Sequence, residues 1–317
     1  MKRKTKIILW SILFLFVFVL SGILRVNYLG SAPMKLLDVE WNDSIGICYE
    51  DLEYENNFGH KYDLYIPTNI DADKEQSLIL YIHGGSFNSG SKEDGDAWCK
   101  YYASKGYITA TLDYSLQTVH ENASLHVMNE EIENCVKSIY EKCADMGLNV
   151  TSMATAGVSA GGTLAMNYAY KCVDTSVIPV KFVFQLAAPA DFEPSEWGIL
   201  KKINKLNTDA EFVQMMTGVK MSDEMIASGE YTQYIDEIST ARLVNKQSPP
   251  TLCGYGMRDH LVPGELKYKL IDAFEKYGVT YDYIEFPNSN HGMYSDIDKL
   301  EEFLKKSLEY CKLYFGR

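Results

Sequence analysis

At 317 residues, 46% hydrophobic and 23% charged, the chain is long enough for one large domain and too apolar to remain disordered. The formal charge is −13, but residues 1–30 hold five Lys/Arg and no acid, which leaves 25 bases against 43 acids, or −18, on residues 31–317. So acidic a body without a basic stripe repels phosphate, which argues against a nucleic-acid partner.

The chain begins with four positive charges in the first six residues, followed by an uncharged apolar run from Ile7 to Leu24. Eighteen residues of helix rise about 27 Å, against about 30 Å of bilayer hydrocarbon. The basic flank stays cytoplasmic, so an anchor here would hold residues 31–317 outside the membrane. A cleaved secretory signal, which would release that body, has the same charged start. Against cleavage, Ser21-Gly-Ile-Leu-Arg-Val26 offers no small-x-small site. A buried core helix is the third reading. The expected division is a tip and anchor or signal over 1–30, then one domain over 31–317.

Strand-like runs follow at Ile45–Glu55 and Lys61–Ile66, joined by a turn at Asn56–Gly59. Ser77–His83 is continuously apolar, the pattern of a strand buried on both faces. The remaining chain alternates. Helices are expected over Lys92–Lys105, Val127–Met146, Ala160–Cys172, Pro263–Tyr277 and Ser295–Leu313. Strands are expected over Tyr107–Tyr114, Ser152–Val158, Val180–Ala187, Thr251–Gly256 and Thr280–Phe286. This order predicts an α/β fold, a mostly parallel sheet with helices on both faces. Residues 192–247 break the alternation with helix-like pieces at Ser195–Ile203, Asp209–Met216 and Ser222–Ser228. A helical cap over the C-terminal edge of the sheet is expected there, where open α/β sheets bind ligands; a peripheral excursion is the alternative. Phe192, Trp197, Phe212, Met215 and Met216 either line a pocket or form the cap's own small core. The seven cysteines are odd in number and lack CxxC spacing, so neither a metal site nor a disulfide is assumed.

Gly157-Val-Ser159-Ala-Gly161 lies between an expected strand and an expected helix, the setting in which a serine is held at a sharp, exposed turn. Upstream, His83-Gly84-Gly85-Ser86 closes a strand. Glycines there let backbone N–H groups approach a developing oxyanion, so Gly85, Ser86 and Ala160 are candidate donors and Gly84 sets the turn. His83 reads as a brace for that loop. Asp259 and His291 each follow a later strand, on the edge where Ser159 emerges. In the order Ser–Asp–His, His291 would be the base for Ser159 and Asp259 would fix its tautomer. His60, His120 and His126 have no reason to reach that edge, His260 points elsewhere, and Glu265 would have to reach back from a helix.

Together these segments resemble the carboxylesterase branch of the α/β-hydrolases, the hormone-sensitive-lipase-like and acetyl-xylan- or feruloyl-esterase-like members. The likeness rests on Tyr62–Pro67, Tyr81–Gly85, Leu112–Tyr114, Gly157–Gly162, Pro249-Pro250, Asp259–Pro263 and His291-Gly292. It implies an α/β-hydrolase fold and hydrolysis of small carboxylic esters, often short-acyl, through an acyl-Ser159 intermediate without metal or organic cofactor. Two positions depart from the pattern: Ser86 stands where a third glycine is common, and Phe87 where tryptophan is. An exopeptidase or a formamidase-like amidase would use the same triad. A non-catalytic surface binding module is the reading from another class.

Overall fold

Eight strands form one sheet in the order β1-β2-β4-β3-β5-β6-β7-β8. They are β1 (Gly46–Glu53), β2 (Lys61–Pro67), β3 (Glu75–Ile82), β4 (Ile108–Leu112), β5 (Asn149–Val158), β6 (Val180–Leu186), β7 (Thr251–Gly256) and β8 (Tyr281–Phe286). Only β2 runs against its neighbours β1 and β4, while every pair from β4 to β8 is parallel. This computed structural model describes residues 35–316 apart from Asn57 and Glu121, and of the first 34 residues only Trp10, Leu13 and Val17. The expected anchor or signal over 7–24 therefore lies, but for those three, outside the described residues. Among the described residues no helix is long and apolar enough to cross a membrane.

Strand side chains alternate between two apolar layers, as a period of two requires. On β3, Leu78, Leu80 and Ile82 enter one layer, whereas Ile79 and Tyr81 enter the other. The first layer is covered by α2 (Leu125–Asp145), α3 (Ala160–Lys171) and α9 (Leu266–Tyr277). The second is covered by α1 (Asp96–Ala103) and α10 (Ile297–Phe315). All the parallel strands point their C-terminal ends to one edge, and every candidate catalytic group sits in a loop on that edge.

Residues 191–247 hold no strand but five short helices: α4 (Gly198–Ile203), α5 (Asp209–Thr217), α6 (Asp223–Ser228), α7 (Thr232–Asp236) and α8 (Thr240–Leu243). Two systems fasten them to the body. The first is a ring series, with Phe87–Phe192 centroids 5.9 Å apart, Phe192–Trp197 5.6 Å and Trp197–Phe212 6.3 Å. The second is ionic and centres on the buried carboxylate of Asp191. Arg242 Nε lies 2.9 Å and Lys269 Nζ 2.7 Å from its two oxygens. Arg242 also reaches Glu193 and Asp236, and Lys269 reaches Glu196. Burial alone would raise the Asp191 carboxyl, but Lys269 and Arg242 outweigh it and hold it below the ordinary carboxylate value.

Two expected helices differ in detail. The one expected over 92–105 opens as a 3-10 turn, Lys92–Gly95, before α1. There the Lys92 amide donates to Asp113 (2.9 Å) and its ammonium to Asp63 (2.9 Å), which ties the first turn to β2 and β4. The one expected over 195–203 is interrupted at Trp197, whose indole N–H donates to the Asp191 carbonyl at 3.0 Å.

Candidate active site

β5 ends at Val158 and α3 begins at Ala160, so Ser159 alone makes the turn, at φ 56° and ψ −127°. Such backbone costs on the order of 1–3 kcal/mol for a residue with a Cβ and persists only where its surroundings hold it. Here the Ser159 N–H donates to Leu186 O (2.8 Å), and its carbonyl accepts from the Thr163 N–H (3.2 Å). Gly161 is a steric necessity. A Cβ there would overlap the carbonyl oxygens of Ile82 and His83, so α3 can lie this close to β3 only on a glycine.

The turn aims the Ser159 hydroxyl at His291, with Oγ 2.8 Å from Nε2, while His291 Nδ1 lies 2.7 Å from Asp259 Oδ2. The other Asp259 oxygen accepts the N–H groups of Leu261 (2.8 Å) and Val262 (3.1 Å). Burial pushes the Asp259 carboxyl up, but the His291 hydrogen bond and charge and those two amides prevail and hold it below its usual value. An ionised Asp259 accepts a hydrogen bond from Nδ1–H, which leaves Nε2 as the lone-pair nitrogen facing Ser159.

Asp296, absent from the sequence reading, fixes the loop that carries His291. Its buried carboxylate accepts Asn288 N (2.9 Å), Asn288 Nδ2 (2.9 Å) and Ser289 Oγ (2.7 Å). The one available signal was an acid just ahead of the last helix.

Opposite His291, residues 83–89 form a tight loop through left-handed backbone at Gly85 (φ +116°), Ser86 (φ 55°) and Phe87 (φ 64°). The Gly85 carbonyl accepts the N–H groups of Asn88 and Ser89, each at 3.0 Å, and the Phe87 carbonyl accepts that of Gln117 (2.9 Å). With these carbonyls engaged, the N–H groups of Gly85 and Ser86 have no partner among the described residues. Ala160 is the first residue of α3, so its N–H has none inside the helix. Gly84 is pressed against the Val158 carbonyl, where a Cβ would come within 2.8 Å. These positions form one concave rim beside Ser159. Behind them His83 is buried, stacks on Tyr114 at 4.2 Å and donates Nδ1–H to Gly84 O at 2.7 Å. Burial lowers its pKa, and its contacts are with the loop rather than with Ser159.

The other histidines stay away from this site. His60 lies beside Ser115 and His120, with burial pushing it down to about 4, and His126 faces Glu237. His260 is exposed although next to Asp259.

Two cavities meet at Ser159. The larger, about 520 Å³, opens beside His291 and is bounded by Leu37, Tyr81, Trp98, Met293 and Tyr294, with Gly84, Gly85 and Ser86 on its rim. The smaller, about 20 Å³, lies beside Ser86 and Ala160 and is closed by Phe87, Pro189, Trp197 and Leu200. Of the five cap residues singled out in the sequence, Trp197 lines a cavity; Phe192, Phe212 and Met216 are buried core, and Met215 packs against that core. Four of the eight described non-glycine residues with positive φ (Ser86, Phe87, Ser159 and Met293) line these two spaces.

The BD-FAE family model matches residues 62–274, more than half of the chain. Esterase LipI of Mycobacterium tuberculosis is 30% identical over 124 residues, which are 39% of this chain and 37% of LipI, so the match spans little more than a third of that relative. Among solved structures, esterase B from Lactobacillus rhamnosis superposes with a TM-score of 0.67 at 18% identity, over 93% of this chain and 96% of that one. A carbohydrate esterase from gut microbiota gives a TM-score of 0.64 at 16% identity, over 84% and 99%. Together with the strand order, these likenesses establish the α/β-hydrolase fold.

Proposed function

The chain belongs to the BD-FAE family of the α/β-hydrolase type, and from that premise we propose that it is a serine esterase cleaving short-acyl carboxylic esters through an acyl-Ser159 intermediate. The observation that carries this reading is the unbroken hydrogen-bond chain from Ser159 Oγ through His291 to Asp259 at the mouth of a cavity.

The chemistry follows from the protons. His291 Nε2 takes the hydroxyl proton as Ser159 Oγ bonds to the carbonyl carbon, and Asp259 stabilises the imidazolium that results. The carbonyl oxygen gains the electron pair and accepts hydrogen bonds from the N–H groups of Gly85, Ser86 and Ala160. When the C–O bond breaks, His291 returns the proton to the leaving alkoxide, which departs as the alcohol. Water, deprotonated by the same imidazole, then releases the acid and restores Ser159. Every step uses groups of this chain and the two substrates alone.

We propose separately that the apolar run over residues 7–24 holds the enzyme at a membrane with residues 31–317 outside the cytoplasm. Its support is the charge asymmetry of the first thirty residues.

The test is hydrolysis of p-nitrophenyl acetate by the purified full chain. Wild type is expected to turn over and Ser159→Ala to fall to the background rate; turnover persisting in the variant overturns the assignment.

A further inference from the structure

The two spaces at Ser159 are unequal, and the proton path decides which half of an ester each receives. Resting on the serine-esterase reading, we infer that the small cavity takes the acyl group and the large one takes a bulky, uncharged, ring-bearing alcohol, with Leu37 as a specificity-determining wall.

The imidazolium of His291 must hand its proton to the departing oxygen, so the alcohol half lies on the side of His291. That residue, with Met293 and Tyr294, bounds the cavity of about 520 Å³ and does not touch the smaller one. The carbonyl oxygen points at the donors of Gly85, Ser86 and Ala160, which lie between the two spaces: Gly85 and Ser86 border the large one, Ser86 and Ala160 the small one. With the alcohol on the side of His291, the acyl chain on the same carbon takes the other space at Ser159, the small cavity.

Size then sets the acyl limit. A space needs about 10–15 Å³ of this measure to hold one water, so about 20 Å³ accommodates a methyl group or little more. Its walls resist expansion. Phe87 and Trp197 are buried in the ring series that runs on to Phe212, and the Trp197 indole is tied to Asp191 O.

On the alcohol side, Tyr81 and Trp98 lie nearly parallel, with centroids 5.3 Å apart and 16° between planes, and both border the cavity. Leu37 and Leu300 complete an apolar wall around them. Among the lining residues Asp94 is the one Asp, Glu, Lys or Arg, and a carboxylate at the wall disfavours an anionic alcohol. Planar rings beside mostly apolar walls favour a ring that buries apolar surface over a sugar needing many hydrogen bonds. Leu37 belongs to the first described stretch after the apolar N-terminal run, yet it is buried with the β3, α1 and α10 residues. The segment leading from that run into the domain therefore builds part of the substrate pocket.

The experiment uses the purified full chain and two ester series. With acetyl held constant, the alcohols are ethyl, benzyl and 2-naphthylmethyl, chosen for similar acidity, and a monoacetylated methyl glucoside. With 2-naphthylmethyl held constant, the acyl groups are acetyl, butyryl and hexanoyl. We expect kcat/KM to rise about tenfold from ethyl to 2-naphthylmethyl and to fall about tenfold from acetyl to butyryl. Trp197→Ala should narrow the acetyl-over-butyryl ratio, and Leu37→Ala should reduce the 2-naphthylmethyl-over-ethyl ratio about fivefold, chiefly through KM. A flat or inverted order in either series, or preference for the glucoside acetate, overturns the pocket assignment. Paraoxon labelling of Ser159 separates the two failures. A labelled serine with the wrong order sinks only the assignment, whereas no turnover and no label sinks the esterase reading and the assignment with it.

Discussion

The nucleophile turn and the helical cover above it are held by different physics. At residues 157–162 the geometry is set by backbone against backbone, with α3 lying so close to β3 that a single methyl group at Gly161 has nowhere to go. Over residues 191–247 it is set by side chains, a ring series and ion pairs in which Phe192, Trp197, Asp191, Arg242 and Lys269 each have more than one partner. The first arrangement leaves no room for an added methyl group. The second tolerates single losses and depends on protonation. A site that must align a hydroxyl, an imidazole and backbone donors is suited to the former, and a cover that only shapes a pocket to the latter.

Substitutions separate the two regimes. His291→Ala removes the base without disturbing the turn, and kcat/KM should fall about 10⁴-fold with unchanged circular dichroism. A mere tenfold loss would mean that another group serves as base.

Gly161→Ala comes next. Backbone overlap with Ile82 and His83 should cost about 3 kcal/mol or more, read as a lower denaturant midpoint, with activity lost alongside stability. A variant as stable as wild type would show that α3 can shift.

In the cover, Asp191→Asn leaves Arg242 and Lys269 their other carboxylates, so the expected loss at neutral pH is smaller, about 2–3 kcal/mol. Its pH dependence has a definite sign. Because the folded-state pKa of Asp191 lies below the ordinary value, its stabilisation is complete above about pH 4 and disappears as pH falls through the lower folded value. The melting temperatures of wild type and variant should therefore converge towards acid; a constant gap from neutral pH down to about pH 3 would contradict the ionic account.

The smallest effect belongs to Thr208→Ala. It removes one half of the capping box with Glu211 at α5, and the expected loss is about 1 kcal/mol with esterase activity retained.

The same contrast explains what was legible in the chain alone. Regular βα alternation and glycine-flanked Ser159 are local signals, because period and steric demand are written in adjacent residues. Asp259 and His291 were readable as candidates because each ends a recognisable strand, which places it on the common edge. Leu37 was not, since one leucine ahead of β1 carries no period and meets Tyr81 and Trp98 only after folding. Asp296 was missed because an acid before a helix reads as an ordinary cap, whereas its partners are Asn288 and Ser289. Helices α7 and α8, of five and four residues, are too short to show a 3.6-residue repeat. Which cap aromatics line a cavity and which form core depends on stacking order, so Trp197 could not be told from Phe192 or Phe212 in advance.

The central claim is that Ser159 is the nucleophile, and covalent trapping addresses it most directly. The full chain, treated with a small fluorophosphonate and analysed by intact mass and peptide mapping, should gain one adduct on Ser159 in step with loss of ester hydrolysis, and Ser159→Ala should gain none. An adduct on another residue, or hydrolysis surviving full modification of Ser159, would contradict the account.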